Sequence, residues 1–264
     1  MDLLDRHDLE PRRALGQNFV VDPNTVRRIA SLARIGSDDR VVEIGPGLGS
    51  LTLALCETGA EVVAIEADRS LLDPLAETTK HTRTRIIHAD ATELTWSDEL
   101  DGDGWVLVAN LPYNVGTPLV ADVLDFVPKV SRLVVMVQRE VADRLIAGPG
   151  DDAYGALSVK VASWATGRRL CSVPSTVFHP RPKVDSTVVE LTRHIEPAVP
   201  GDVDRGHLFA LVRQAYGQRR KMMRASLRGV VDTSQFESAA VRPEARPEEL
   251  ALADWISLTR AVWR

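Results

Sequence analysis

The sequence predicts an α/β protein with a mainly parallel sheet, followed by a smaller all-helical domain, and three observations predict it. Through about residue 194, short apolar runs alternate with amphipathic stretches, the pattern of strands laid side by side with helices packed between them. Pro197, Pro200 and Gly201 then interrupt that alternation. From Val203 the apolar spacing turns helical, as in Leu208, Leu211 and Val212 and again in Leu250, Trp255, Ile256 and Leu258. The domains are accordingly placed at 1–196 and 203–264, a division that 264 residues can support.

The elements follow in order. Candidate strands are 41–45, 62–66, 85–89, Trp105–Asn110, 133–138 and 187–192, each a short apolar run, with a further strand between 163 and 173. Helices are expected at Pro23–Ala33, 51–57, 71–78, 118–126 and 141–146, with another possible at 154–165. Gly148-Pro149-Gly150-Asp151-Asp152 reads as an exposed loop.

Composition excludes several classes. No run reaches the roughly 20 apolar residues of a membrane span, and the charged opening segment argues against export. The expectation is a cytoplasmic protein. Cys56 and Cys171 have no metal-ligand spacing and are expected as reduced, packed thiols, so no metal is expected. Net charge is −5, yet Arg205, Arg213, Arg219, Arg220, Lys221, Arg224 and Arg228 fall in a segment without Asp or Glu. An acidic body with one basic segment fits a polyanion partner.

Val41-Val42-Glu43-Ile44-Gly45-Pro46-Gly47-Leu48-Gly49 is a buried strand entering a glycine-rich turn, which lets backbone approach a ligand closely. The next strand ends in Glu66, whose carboxylate can accept both ribose hydroxyls of an adenosine group. A dinucleotide site shares these features. The Gly45-x-Gly47-x-Gly49 spacing, however, is not GxGxxG and lacks that pyrophosphate cradle, whereas S-adenosylmethionine has no phosphate to bind. Asp90, past the third strand, could receive the cofactor's adenine amino group or simply cap a turn.

The fourth strand delivers Asn110-Leu111-Pro112-Tyr113 to the same edge. An adenine N6 amine is a poor nucleophile because its lone pair is delocalised into the ring. The Asn110 side-chain oxygen and the adjacent Leu111 carbonyl can each accept one N6 hydrogen and free that lone pair for in-line attack on a methyl group. Pro112 fixes φ and so holds the Leu111 carbonyl. Tyr113 offers a face for an extruded base. An Asn-x-Pro turn without chemistry is the plain alternative.

With these residues in view, the chain resembles the bacterial small-subunit ribosomal RNA adenine N6,N6-dimethyltransferase family over almost its whole length. The resemblance is carried by Gly16-Gln17-Asn18-Phe19, the Glu43–Gly49 turn, Asn110-Leu111-Pro112-Tyr113, and Gln138-Arg139-Glu140-Val141. It continues in Phe178-His179-Pro180-Arg181-Pro182-Lys183-Val184-Asp185-Ser186 and in Gln218-Arg219-Arg220-Lys221. It implies a Rossmann-like methyltransferase domain with a seven-stranded sheet, a helical domain, and dimethylation of two adjacent adenosines near the 3′ end of 16S ribosomal RNA during assembly of the 30S subunit. It also implies cofactor contacts at Asn18, Val20, Gly45, Gly47, Glu66, Asp90 and Asn110. Position 20 is usually Leu and position 116 often Ser in this family, where this chain has Val20 and Gly116.

On the substrate side, the prolines around Phe178 could hold its ring opposite Tyr113 as the second wall of a base slot, or Phe178 could be core. Arg181 and Lys183 suit phosphate contacts, as do Arg12 and Arg13 on a mobile arm. Arg220, Arg224 and Arg228 recur at i, i+4 and i+8, one helical face, and with Arg219 and Lys221 they present a counter-surface for RNA. Met222 and Met223 are expected as core filler, and the protein as a monomer. Two rivals remain: a large-subunit ribosomal RNA adenine methyltransferase of the macrolide-resistance type, and an assembly factor in which nucleic-acid binding outweighs catalysis. Leu111 and residues 178–186 favour the small-subunit family over the first. Intact Gly45, Glu66 and Asn110 speak against the second.

Overall fold

The structure, a computed structural model, describes residues 2–12, 16–113 and 115–263. Helix α1 (Asp2–Arg6) leads to strand β1 (Phe19–Val20) and helix α2 (Pro23–Ala33). Then β2 (Arg40–Ile44), α3 (Ser50–Cys56), β3 (Glu61–Glu66), α4 (Leu72–Thr79) and β4 (Thr84–His88) alternate. They are followed by α5 (Trp96–Glu99), β5 (Trp105–Asn110), α6 (Gly116–Phe126), β6 (Val130–Gln138) and α7 (Arg139–Ile146). Helix α8 (Ala156–Ala162) precedes β7 (Ala165–Val173), β8 (Phe178–His179) and β9 (Ser186–Arg193). Helices α9 (Arg205–Tyr216), α10 (Met223–Ser226), α11 (Thr233–Ser238) and α12 (Leu252–Val262) complete the chain.

Seven strands form one sheet in the order β4-β3-β2-β5-β6-β9-β7. The strands from β4 to β6 pair in parallel, and β9 pairs antiparallel with β6. Strand β2 has β3 on one side and β5 on the other, so the chain's direction of winding reverses beside it. That leaves a crevice beyond its carboxyl end. The parallel strands read as unbroken apolar runs because both faces are covered. On one face, Val41, Val62, Val106, Val134 and Val188 pack with Val26, Ile29 and Leu55 into a single buried cluster.

Local chemistry explains the element ends. Asp22 caps α2 by accepting from Asn24 N and Thr25 N, Pro23 suits the first turn, and Arg34 closes the helix in the left-handed conformation. The buried Glu190 on β9 would be costly alone. It accepts from Arg34 at 2.9 Å, from Arg132 at 3.3 Å and from Arg168. Burial pushes its carboxyl up, but Arg34 and Arg168 outweigh it and hold the group below the ordinary glutamate range.

The chain forms two compact units, residues 1–142 with 168–192, and residues 143–167 with 193–264. The expected boundary at 196–203 therefore misses residues 143–167, which join the helical unit. The reason is packing: Tyr154 and Val159 lie in a cluster with Leu208, Phe236, Trp255 and Leu258. The Tyr154 hydroxyl donates to Leu250 O at 3.0 Å. Within that unit Met223 is core, whereas Met222 is exposed and not the filler expected. Cys56 and Cys171 are both free thiols. Among the described residues no helix is long and apolar enough to cross a membrane.

Candidate active site

The carboxyl ends of β2, β3 and β5 and the turn after β4 open on one cavity, lined by Gly45, Gly47, Glu66, Asp90, Asn110 and Tyr113. Asn18, Val20, Leu111 and Pro112 line it too. The residues expected to hold a cofactor and the Asn110-to-Tyr113 motif thus share one space, as parallel strands ending at one level require.

Gly45 and Gly47 have φ of +67° and +59°, a backbone region that disfavours any side chain. At Gly47 a Cβ would also stand 2.8 Å from Phe19 Cε1, so the turn and the Phe19 ring fit only without one. Glu66 is buried, and its carboxylate accepts from Gly47 N at 3.0 Å and from Asp68 N at 2.8 Å. Burial raises its pKa against the lowering effect of those two N–H groups. These two N–H groups occupy one lone pair on each oxygen and do not exhaust the acceptor capacity of the carboxylate. Asp90 accepts from Thr92 N at 2.9 Å and Thr92 Oγ1 at 2.7 Å while lining the cavity, so the turn cap is real and coexists with an accessible carboxylate.

Deeper in, Glu43 is buried, accepts from Thr52 Oγ1 at 2.6 Å and joins β2 to α3 across the glycine turn. Burial pushes its carboxyl up to about 8, the Thr52 bond opposing and the Glu66 charge adding, so it carries a proton at neutral pH.

Asn110 Nδ2 donates to Asn18 O at 3.0 Å. That bond fixes the planar amide with its donor turned toward the N-terminal segment and its acceptor, Oδ1, on the other side. The peptide that follows is anchored too: Leu111 N donates to Met136 O at 3.1 Å, and Pro112 O accepts from Val115 N and Gly116 N. The Tyr113 hydroxyl is paired with Ser186 Oγ at 2.6 Å, which tethers the ring; burial raises its pKa.

Several expectations need correcting. Phe178 is 4% exposed, pairs with Val20 across β1 and β8, and packs in the sheet cluster; it does not line the cavity, so it is core and not a slot wall. Arg220, Arg224 and Arg228 do not share a helical face, because α9 ends at Tyr216 and α10 covers only Met223–Ser226. Nor is the basic segment without acidic partners from elsewhere in the chain. Arg224 pairs with Glu244 at 3.2 Å, and Arg219 lies 3.9 Å from Glu248 and donates to Asp152 O. Arg220 and Lys221 are exposed, as are Arg181 and Lys183. Arg12 is not on a loose arm: its side chain donates to Asp68 at 3.2 Å. Arg13 lies outside the described residues.

Sequence reasoning assigned no part to Gln17, Asp68 or Ser186, yet each holds a cavity residue or its neighbour. Gln17 and Ser186 stood inside motifs that carried the resemblance; Asp68, two residues past Glu66, gave no such signal.

Comparison with known proteins gives consistent findings. A profile of the family described as ribosomal RNA adenine dimethylase matches residues 9–262. The "Ribosomal RNA small subunit methyltransferase A" of Cutibacterium acnes is 46% identical, with 98% of this chain and 91% of that protein covered. The protein of the same name from Acidothermus cellulolyticus is 45% identical over 96% and 89%. Among solved structures, a dimethyladenosine transferase from Plasmodium falciparum superposes with a TM-score of 0.78 at 24% identity, covering 91% of this chain and 95% of that one. The 23S rRNA methyltransferase ErmE superposes at 0.71 and 24%, covering 93% and 100%. At such identity these two speak for the fold alone.

Proposed function

The chain belongs to the ribosomal RNA adenine dimethylase family, and from that premise we propose that it dimethylates N6 of two adjacent adenosines near the 3′ end of 16S ribosomal RNA during small-subunit assembly. The cofactor of this reading is S-adenosylmethionine, which when bound would supply an electrophilic methyl group and leave as S-adenosylhomocysteine. The donor set fits it: Glu66 has free lone pairs for ribose hydroxyls, Asp90 is an acceptor for an amino group, and the glycine turn presents bare backbone. Asn18, Val20 and Asn110 complete the lining.

The observation that carries the chemistry is the Asn110 Nδ2 bond to Asn18 O, because it makes Oδ1 a fixed acceptor. Oδ1 and the Leu111 carbonyl then accept hydrogen bonds from N6, two before the first transfer and one before the second, and draw the nitrogen toward tetrahedral geometry. Tyr113 stacks on the base, its ring held through Ser186. No strong base is needed, since the nitrogen gains acidity on methylation and its proton can pass to water. Catalysis is positioning and electrostatic complementarity. Arg181, Lys183, Arg220 and Lys221 contact phosphates, with Arg219 and Arg224 acting from within their ion pairs. This reading places the protein in the cytoplasm, as a monomer without a metal.

Labelled S-adenosylmethionine offered with undermethylated 30S particles, 50S precursors or free RNA tests the reading. Label is expected in the 30S particles. Label confined to the large-subunit material would favour the macrolide-resistance type, and none in any arm would favour a binding factor.

A further inference from the structure

Asp68 belongs to none of the contacts assigned above to cofactor or base, yet its side chain is 3% exposed and saturated with donors. Oδ1 accepts from Ser70 N at 3.0 Å, from Ser70 Oγ at 2.7 Å and from Arg12 Nη1 at 3.2 Å; Oδ2 accepts from Gln17 Nε2 at 2.8 Å. The backbone N–H of Asp68 donates in turn to Glu66 Oε1. Capping the short helical turn at Ser70 accounts for the two Ser70 bonds. It does not account for donors that arrive from 51 and 56 residues away in sequence.

One of those donors, Gln17, belongs to the segment that walls the cavity, where Gly16 to Val20 form part of the lining. Gln17 is held at both ends of its amide, Nε2 on Asp68 and Oε1 on Arg12 N at 2.7 Å. The next residue supplies the carbonyl that orients the Asn110 amide, and the one after lays its ring over Gly47. A planar amide bonded on both edges can neither rotate nor flip without losing a bond. Fixing Gln17 therefore fixes the backbone leading into Asn18.

We propose that Asp68 is a positioning residue that latches the Gly16–Val20 segment over the cofactor cavity and, through Asn18 O, sets the orientation of the Asn110 amide. The proposal rests on reading that cavity as the S-adenosylmethionine site. The latch is neutral, one guanidinium and one amide on one carboxylate. Its strength comes from the burial of the Asp68 carboxylate, which is penalised wherever a donor is missing.

The test exploits the polarity of the Gln17 amide. In Asp68→Asn the new side chain keeps its oxygen toward Ser70 N, since Asn caps as well as Asp. Its NH2 then faces Gln17 Nε2, donor against donor, and flipping Gln17 only moves the conflict to Arg12 N. Adding Gln17→Glu removes the conflict, because the new carboxylate at 17 accepts from both the amide at 68 and Arg12 N. Three readouts apply: calorimetric binding of S-adenosylhomocysteine, hydrogen exchange at residues 17–19 in ligand-free protein, and the methyl-transfer rate at saturating cofactor. Asp68→Asn is expected to weaken binding about tenfold, speed the exchange and lower the rate. The double variant is expected to recover most of all three. Gln17→Met, which leaves the Ser70 cap intact, is expected to reproduce the losses should Asp68→Asn fold poorly. Wild-type values in Asp68→Asn and Gln17→Met would show Asp68 to be a cap only. A double variant no better than the single, at equal thermal stability, would equally overturn the latch. Wild-type protein unable to bind S-adenosylhomocysteine would overturn the cofactor reading instead, and the exchange data would still decide whether Asp68 holds the segment.

Discussion

Asn110 is the residue on which the chemistry turns, and its geometry separates binding from transfer. Its amide nitrogen donates to Asn18 O and cannot accept, so the oxygen is the atom that polarises an amine. Asn110→Ala is expected to lower methyl transfer by roughly 10²–10³-fold, the range for losing one preorganised polar group at a reacting centre. Cofactor affinity should fall much less, because Glu66 and Asp90 are untouched. Single-turnover rates beside S-adenosylhomocysteine titrations check this, and near-normal turnover would show the polarising role to be wrong. At this scale the sequence was legible where a side chain ends a strand: Glu66 and Asn110 fell into the cavity as their spacing implied. It was not legible where roles come from tertiary hydrogen bonds, as for Gln17, Asp68 and Ser186. Phe178 shows a third limit. Prolines stiffen a loop without saying which way its ring points, and the β1–β8 pairing turned it inward.

The junction of β2 with α3 is governed by a buried carboxyl. Glu43 sits on the strand, Thr52 on the helix, and the glycine turn runs between them. Because the folded pKa is raised to about 8, the native state holds a proton that the unfolded chain releases at lower pH. Stability must then fall as pH rises from the ordinary glutamate range toward 8. Glu43→Gln keeps an acceptor for Thr52 and cannot ionise, so it should gain on the wild type as pH rises. Urea midpoints at pH 6 and pH 9 measure the difference, and parallel pH profiles would contradict it. The strands of the seven-stranded sheet and most helices between them were legible to within a few residues, because parallel strands covered on both faces read as apolar runs; α1, α5, β1 and β8 were not, being too short to carry a period. The helical face inferred for Arg220, Arg224 and Arg228 was not real. Spacing of charges alone does not keep a helix going, and the chain breaks after Tyr216.

For the whole molecule, charge distribution matters more than net charge. The chain is acidic overall, yet exposed Arg220 and Lys221 sit in the segment that lacks acids in sequence. Ion pairs to Glu244 and Glu248 temper Arg224 and Arg219, which sequence order could not reveal because those acids lie about 20 or more residues downstream. The same long-range packing carries residues 143–167 into the helical unit, beyond the reach of any linker signal. Replacing Arg220 and Lys221 together by Ala is expected to weaken RNA binding and to cut the slope of log affinity against log salt by up to about two. Binding of S-adenosylhomocysteine should be unchanged. An unaltered salt slope would remove both residues from the RNA surface. Beneath these details lies one claim, that the cavity at the ends of β2, β3 and β5 presents an adenine N6 to a methyl group. Mass spectrometry of nucleosides, after undermethylated small-subunit particles are incubated with the protein and S-adenosylmethionine, measures it directly. N6,N6-dimethyladenosine is expected from two adjacent positions; methyl groups on ribose, on cytidine or on an adenine ring carbon would show that the cavity does other chemistry.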